Sequence, residues 1–352
     1  MRILYASQRP PYPYFQGGAA RSAHRLLLAL AQDQGAACMA VGSAGYAVSP
    51  WALPPLADHA ALGVRGVAGA PVAGGQPGSQ TVLDCGYPVR LLADFAGDLP
   101  QLLRDWRPDV VWAQLDGARQ VLGVARAQGV PGVLYVRDAE DDPRELRATA
   151  ALGCHVVCGS AFLADKVARV IGRPAAVVHP TSDWCFGTQG DPKGCITMVN
   201  PHAVKGLDTF LEVARRLPQQ RFLLQEAWKL GDAALAALQA RLAALPNVRF
   251  AHRVPDVRQV YAQTRVLVVP SVWEEGFGRV AVEAQSCGIP VIASARGGLA
   301  EAVGEGGVLI DDYRNADAWV AAIAAVTADD GVWRAASARA LASCSSCFSA
   351  CA

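Results

Sequence analysis

Residues 265–307 read RVLVVPSVWEEGFGRVAVEAQSCGIPVIASARGGLAEAVGEGG. The apolar run Val266–Val269 fits a strand buried on both faces of a parallel sheet. Pro270-Ser271 ends that run, and Glu275-Gly276-Phe277-Gly278 forms a glycine-rich loop that opens a helix over Arg279–Ser286. A second strand follows at Pro290–Ala293. Glycines let the backbone approach a ligand closely, and the free N–H groups of a helix start favour phosphate or hydroxyl oxygens. Glu275 stands in the loop and Glu283 lies in the helix, about a turn from its start. Two carboxylates around one anion-friendly loop repel each other unless a cation or a polyol sits there. A sugar satisfies the second condition, because its vicinal hydroxyls donate charge-assisted hydrogen bonds.

The rhythm of this stretch extends in both directions. Short β-branched runs alternate with Ala/Leu-rich helical patterns, which is the signature of βαβ units and parallel sheets. In the first half, strands are expected at Arg2–Ala6, Asp109–Trp112, Gly132–Val136 and Cys154–Val157, with a helix over Ala20–Ala31. In the second half, strands are expected at Cys195–Val199, Arg221–Leu224, Val248–Phe250, Val266–Val269 and Pro290–Ala293. Helices are expected there at Leu207–Leu217, Ala233–Leu245 and Arg279–Ser286. Residues 43–80 are rich in Gly, Ala and Pro with weak periodicity. The turn-rich stretch HPTSDWCFGTQGDPKG (179–194) marks the boundary. The expected organisation is an α/β protein with an N-terminal Rossmann-like domain (1–180), a linker (181–193), a C-terminal Rossmann-like domain (194–340) and a Cys/Ser tail (341–352). Two doubly wound domains joined in this way are expected to face each other across a cleft at the carboxyl ends of their strands, where ligands of open α/β sheets bind.

Composition narrows the function classes. At 352 residues the chain suits two domains, and 52% hydrophobic with 18% charged residues is enough for large cores. The net charge of +1 carries no basic face of the kind nucleic acid demands. No apolar run approaches the ~20 residues that span a bilayer, and the start, MRILYASQRPPYP, turns polar too early for a secretory signal. The expectation is a cytoplasmic protein, with peripheral membrane association left open. Ten cysteines in such a chain are expected as reduced thiols. Cys344, Cys347 and Cys351 crowd the tail without a second Cys-x-x-Cys to complete a metal site, so no metal is expected.

The segment 265–307 resembles the signature of glycosyltransferase family 4, a GT-B family of retaining enzymes. The resemblance rests on Pro270-Ser271, Glu275-Gly276-Phe277-Gly278, Glu283, Gly288-Ile289-Pro290-Val291-Ile292-Ala293-Ser294 and Gly297-Gly298 to Glu301. It implies transfer of a hexose-type sugar from a UDP-, GDP- or ADP-sugar to a glycan, lipid-linked or small-molecule acceptor, with the nucleotide sugar as co-substrate and no further cofactor or metal. It also implies that Glu283 binds the ribose, while Glu275 with the backbone of Gly276, Phe277 and Gly278 holds the donor sugar. Gln16-Gly17-Gly18, between the first strand and its helix, is similar to the family's glycine loop near the phosphates, and Lys205-Gly206 to its diphosphate-binding lysine. Ser160, in the GSAF turn, matches a serine of the family and is expected to cap the following helix. Two departures stand out. Where the family carries an arginine before the lysine, this chain has Val199 and Asn200, with His202 or Arg253 as candidate replacements. Where the family carries a histidine at the reacting centre, this chain reads Tyr135-Val136-Arg137-Asp138-Ala139-Glu140. Arg137 and Asp138 are the candidates there, set against a plain helix-capping role for the acidic turn Asp138–Asp142.

Overall fold

A computed structural model describes the chain except for residues 16, 47–64, 68–81, 140, 182–186, 255 and 349–352. Gln16, Glu140 and Cys351, most of the Gly/Ala/Pro-rich stretch and the middle of the turn-rich stretch therefore lie outside the described residues. The chain divides into two compact units, Met1–Thr181 and Ser182–Ala352.

The first unit contains β1 (Arg2–Ala6), β2 (Ala37–Ser43), β3 (Arg65–Val67), β4 (Val82–Asp84), β5 (Pro88–Leu92), β6 (Val110–Gln114), β7 (Gly132–Val136), β8 (His155–Cys158) and β9 (Ala176–Val177). They form one sheet in the order β3-β4-β5-β2-β1-β6-β7-β8-β9. From β5 to β9 every pairing is parallel, and only the β3-β4-β5 edge is antiparallel. Apolar side chains of β1, β6 and β7 are buried on both faces. Leu4, Val111 and Leu134 share one core with the helix around Leu99, while Tyr5, Trp112 and Tyr135 share the other with Leu27.

The second unit is simpler. Its strands are β10 (Cys195–Val199), β11 (Phe222–Gln225), β12 (Val248–Ala251), β13 (Thr264–Val269), β14 (Val291–Ser294) and β15 (Gly307–Ile310). Their order is β12-β11-β10-β13-β14-β15, with all pairings parallel. Numbered within the unit, this is the 3-2-1-4-5-6 order of a doubly wound dinucleotide-binding sheet, whose strand order reverses between β10 and β13. Right-handed crossovers then lead the chain off opposite faces after those two strands, which opens a crevice at their carboxyl ends. Fully buried Trp319 and Ile323 pack one face with Phe210 and Phe222, and Leu267, Ala281 and Ile289 pack the other.

The expected strands appear within a residue or two of their positions, and the helix over Arg279–Ser286 matches to the residue. Strands β2 and β15 had no expectation attached. ACMAVGS is rich in small residues and GVLI is only four residues long, so neither shows alternation, and pairing with β1 and β14 is what extends them. The described part of the expected Cys/Ser tail, residues 341–348, is helical. A helix spans Asp330–Phe348, and Ala340 and Cys344 are buried in it. The cysteines whose surroundings are described are free thiols. Among the described residues no helix is long and apolar enough to cross a membrane, and no cluster of His, Cys, Asp or Glu is placed to hold a metal ion.

Candidate functional site

Three loops meet at the carboxyl end of the second sheet, and glycines make the meeting possible. Gly206 follows β10 with φ +85, and a Cβ there would lie 1.9 Å from the Pro270 carbonyl oxygen. Only glycine lets the loop after β10 lie against the loop after β13. The amide of Val272 donates to the Val204 carbonyl at 3.0 Å across the same junction. Gly297, at φ +60, presses on the Glu275 backbone so closely that a Cβ would stand 2.3 Å from its carbonyl. Gly298 N–H donates to that carbonyl at 2.8 Å. Ser294 ties the turn from beneath through its hydroxyl, which donates to the Ser271 carbonyl at 2.7 Å.

This packing brings Lys205 and Glu275 together. Lys205 Nζ lies 2.6 Å from Glu275 Oε1, with the side chains only 11% and 13% exposed. Ser271 Oγ donates to the same carboxylate oxygen at 2.5 Å. The ammonium also faces the rings of Trp273 at 4.3 Å and Trp228 at 5.0 Å. An ammonium held between two indole faces and one carboxylate is poorly hydrated, and its field acts strongly on an incoming anion.

Glu283 lies deeper in the helix. Tyr261 Oη donates to its Oε2 at 2.9 Å, and Arg279 donates to Oε1 at 2.6 Å from one turn earlier. Of the two conditions under which the paired carboxylates were expected to coexist, a cation or a polyol, the structure supplies the first. Each glutamate has its own cation, Lys205 for Glu275 and Arg279 for Glu283, so electrostatics alone does not require a ligand. Phe277 is buried in the core beside Leu299. Gly278, at φ +110, caps the helix start, and a Cβ there would meet Leu299.

Arg253 lies just past β12. Its amide donates to Glu226 Oε2 at 3.3 Å, and burial pushes its guanidinium below the ordinary range against the pull of Glu226. Burial opposes the Glu226 charge too, but bonds from the Leu230 amide at 2.8 Å, from His252 and from the Arg253 amide outweigh it. The carboxyl is held below its usual range. A cavity of about 320 Å³ lined by Arg221, Asn247 and Arg249 lies at the amino ends of these strands, away from Lys205.

In the first unit, Gly17 caps the helix Gly18–Gln32 with extended backbone. Gln114, at the end of β6, donates to the Ala19 carbonyl at 3.3 Å and to Tyr5 Oη at 3.1 Å. Arg137, just past β7, donates to Gln114 Oε1 at 2.9 Å and to Ser22 Oγ at 3.1 Å, and its guanidinium lies 3.5 Å from the Tyr135 ring centroid. It thus braces the start of the glycine-loop helix. Asp138 is exposed next to it. Of the acidic turn, Asp142 is the helix cap, accepting from the Arg144 amide at 2.8 Å. Ser160 caps the following helix at Leu163 N–H, as expected.

Sequence reasoning missed Trp228, Tyr261 and Trp273. Trp228 and Tyr261 reach the site from β11 and from the short helix before β13, so only tertiary structure places them. Arg279 was legible as an i,i+4 partner of Glu283.

Residues 194–329 match the family described as Glycosyl transferases group 1. D-inositol 3-phosphate glycosyltransferase from Mycobacterium sp. (strain JLS) is 37% identical over 162 residues, 39% of this chain and 36% of that protein. The enzyme of the same name from Rhodococcus jostii is 41% identical over 97 residues, 27% of this chain and 20% of its own length. The matches thus span about a third or less of those relatives. Anabaena HepE in complex with UDP-glucose superposes with a TM-score of 0.73 at 18% identity, covering 98% of this chain and 95% of that one. Sucrose-phosphate synthase from Thermosynechococcus elongatus gives 0.72 at 17%, covering 99% and 94%. The chain has the GT-B fold of these solved structures, and residues 194–329, which hold Lys205, Glu275 and Glu283, match the model of the glycosyl transferases group 1 family.

Proposed function

We propose that this protein is a retaining glycosyltransferase of family 4 that moves a hexose-type sugar from a nucleotide diphosphate donor to a hydroxyl acceptor. The observation that carries the reading is the Lys205–Glu275 pair at the β10/β13 switch point, 2.6 Å apart and nearly buried beside the Gly276–Gly278 loop. Breaking the bond between anomeric carbon and phosphate leaves positive charge on the sugar and negative charge on the diphosphate. Preorganised cations and N–H dipoles stabilise such a leaving group without reorganising as the reaction proceeds. Lys205 and the amides opening the helix Arg279–Ser286 take the diphosphate, and the Glu275 carboxylate takes sugar hydroxyls and opposes the cationic ring. Glu283 takes the ribose, and Arg253 is a further phosphate contact. Gly17 and Gly18 belong to the phosphate side of this reading, and Asp138 to the acceptor side. The UDP-glucose held by HepE and the inositol phosphate named for the mycobacterial enzyme make those two compounds the first donor and acceptor to try.

Thermal-shift measurements with UDP-, GDP- and ADP-sugars test the reading. A bound donor at a hundred times its dissociation constant adds roughly 2.7 kcal/mol of stability. Addition of D-inositol 3-phosphate or a glycan acceptor is then expected to release free nucleoside diphosphate, with the anomeric configuration retained in the product by NMR and turnover persisting in EDTA. Donor binding without any release across an acceptor panel would identify a binding module instead. In Lys205→Ala, affinity for nucleoside diphosphate is expected to fall at least tenfold while affinity for the nucleoside is unchanged. Equal losses would make the lysine structural.

A further inference from the structure

We propose that His202 and Trp273 complete the diphosphate clamp begun by Lys205, through the imidazole Nε2–H and the indole Nε1–H. This inference rests on the nucleotide-sugar reading above.

Two observations carry it. First, His202 Nε2 and Trp273 Nε1 are both buried and have no hydrogen-bond partner among the described residues. A buried polar nitrogen without a partner is costly, and native structures rarely keep one except where a ligand or water completes it. Second, the two side chains belong to one aromatic cluster around the lysine. The His202 ring lies 5.5 Å from Trp228, Trp228 lies 6.2 Å from Trp273, and Lys205 Nζ faces both indoles. The unsatisfied nitrogens therefore gather around Lys205, beside the glycine-rich loop.

Charge balance gives them a task. Lys205 is already neutralised by Glu275 at 2.6 Å. A diphosphate brings at least two negative charges to that pair, so one shared ammonium does not satisfy its oxygens. Two further N–H donors meet the remainder, as backbone amides do in other phosphate cradles. The fold fixes both donors. His202 begins the turn held by Gly206 against Pro270, and Trp273 lies in the partner loop, whose amides bond the Val204 carbonyl. The Arg253 amide is held by Glu226, so its guanidinium is a phosphate contact separate from these two donors.

Inorganic pyrophosphate, which carries no base or sugar, is the probe. It is titrated calorimetrically into the full chain, and the eight indole N–H resonances are followed by ¹⁵N–¹H NMR. The Trp273 signal is identified by its loss in Trp273→Phe. Pyrophosphate is expected to move that signal downfield at saturation. Trp273→Phe, which keeps the ring and removes the donor, and His202→Ala are each expected to weaken binding roughly tenfold. His202→Gln, which restores an N–H donor, is expected to recover part of the loss. An unmoved Trp273 signal in the unmodified chain overturns the clamp even if a variant fails to fold. Wild-type affinity in both folded variants, with binding lost in Lys205→Met, overturns it while leaving the nucleotide-sugar reading intact. Failure of the unmodified chain to bind either pyrophosphate or any nucleoside diphosphate removes both.

Discussion

Glu275 and Glu283 belong to one motif, yet their surroundings give them different sensitivities. Both oxygens of Glu283 are bonded, to Tyr261 and Arg279, and the residue is 7% exposed. Glu283→Ala removes a shared acceptor from two buried donors, so a loss of about 2–4 kcal/mol in unfolding free energy is expected by chemical denaturation. Below its unfolding temperature the same variant is expected mainly to raise donor KM, because ribose contacts do not change during reaction. Glu275→Gln keeps the size and an acceptor for Ser271 but removes the charge facing Lys205. Its kcat is expected to fall on the order of a hundredfold with KM little changed. If Glu275→Gln shifts only KM while Glu283→Ala cuts only kcat, the roles are reversed.

At the level of elements, the site is a junction of three loops whose contacts are backbone on backbone. Gly206 carries the tightest of them, with a left-handed φ and no room for a methyl beside Pro270. Gly206→Ala must distort the loop after β10, which holds Lys205, or push away the loop after β13, which holds Glu275. A cost of about 1–3 kcal/mol is expected, together with loss of nucleoside diphosphate binding. Gly35→Ala is the control, since Gly35 has a similar φ of +61 in open space far along the chain. It is expected to lose some stability and no binding. Comparable binding loss in both variants would remove the special role of the junction.

At the scale of the molecule, the two units are expected to respond to acid through different groups. In the first unit, burial, with Arg25 and Arg21 nearby, lowers the His24 pKa to about 4. Its ring stacks on Tyr12 and shares a 2.8 Å hydrogen bond with Tyr87. A histidine depressed in the fold favours the neutral form, so its contribution is complete above the unfolded value near 6.5 and is lost as pH falls from there towards 4. That loss amounts to at most about 3 kcal/mol. In the second unit, Glu226 is held below its usual range, so its contribution is intact above the ordinary glutamate value and is lost only as pH falls below it. Hydrogen exchange followed from pH 7 to 4.5 is therefore expected to show protection falling first around residues 12–24 and 87. His24→Asn is expected to flatten that decline. An unchanged slope in the variant would place the acid-sensitive group elsewhere.

The sequence by itself determined the alternation of strands and helices, the position of the glycine-rich loop and the identity of its two glutamates. Those features depend on local periodicity and on φ values that only glycine adopts readily, and both are written in consecutive residues. It did not reveal β2, whose residues are small, or β15, which is only four residues long; both become strands through pairing with β1 and β14. Nor did it reveal the helical end of the chain, because SCSSCFSACA has no amphipathic period and is helical through Phe348 only as the continuation of Asp330. The order of the sheet, and with it the β10/β13 switch point, was a tertiary decision. Lys205 and Glu275 are 70 positions apart in sequence, and Trp228 and Tyr261 join the site from elements between them. No spacing rule reaches that far. Glu283 meets Arg279 within one helix, but the pairing of Glu275 with Lys205 follows from which strands lie side by side, since that 2.6 Å contact is set by packing of backbones that meet only in the folded sheet.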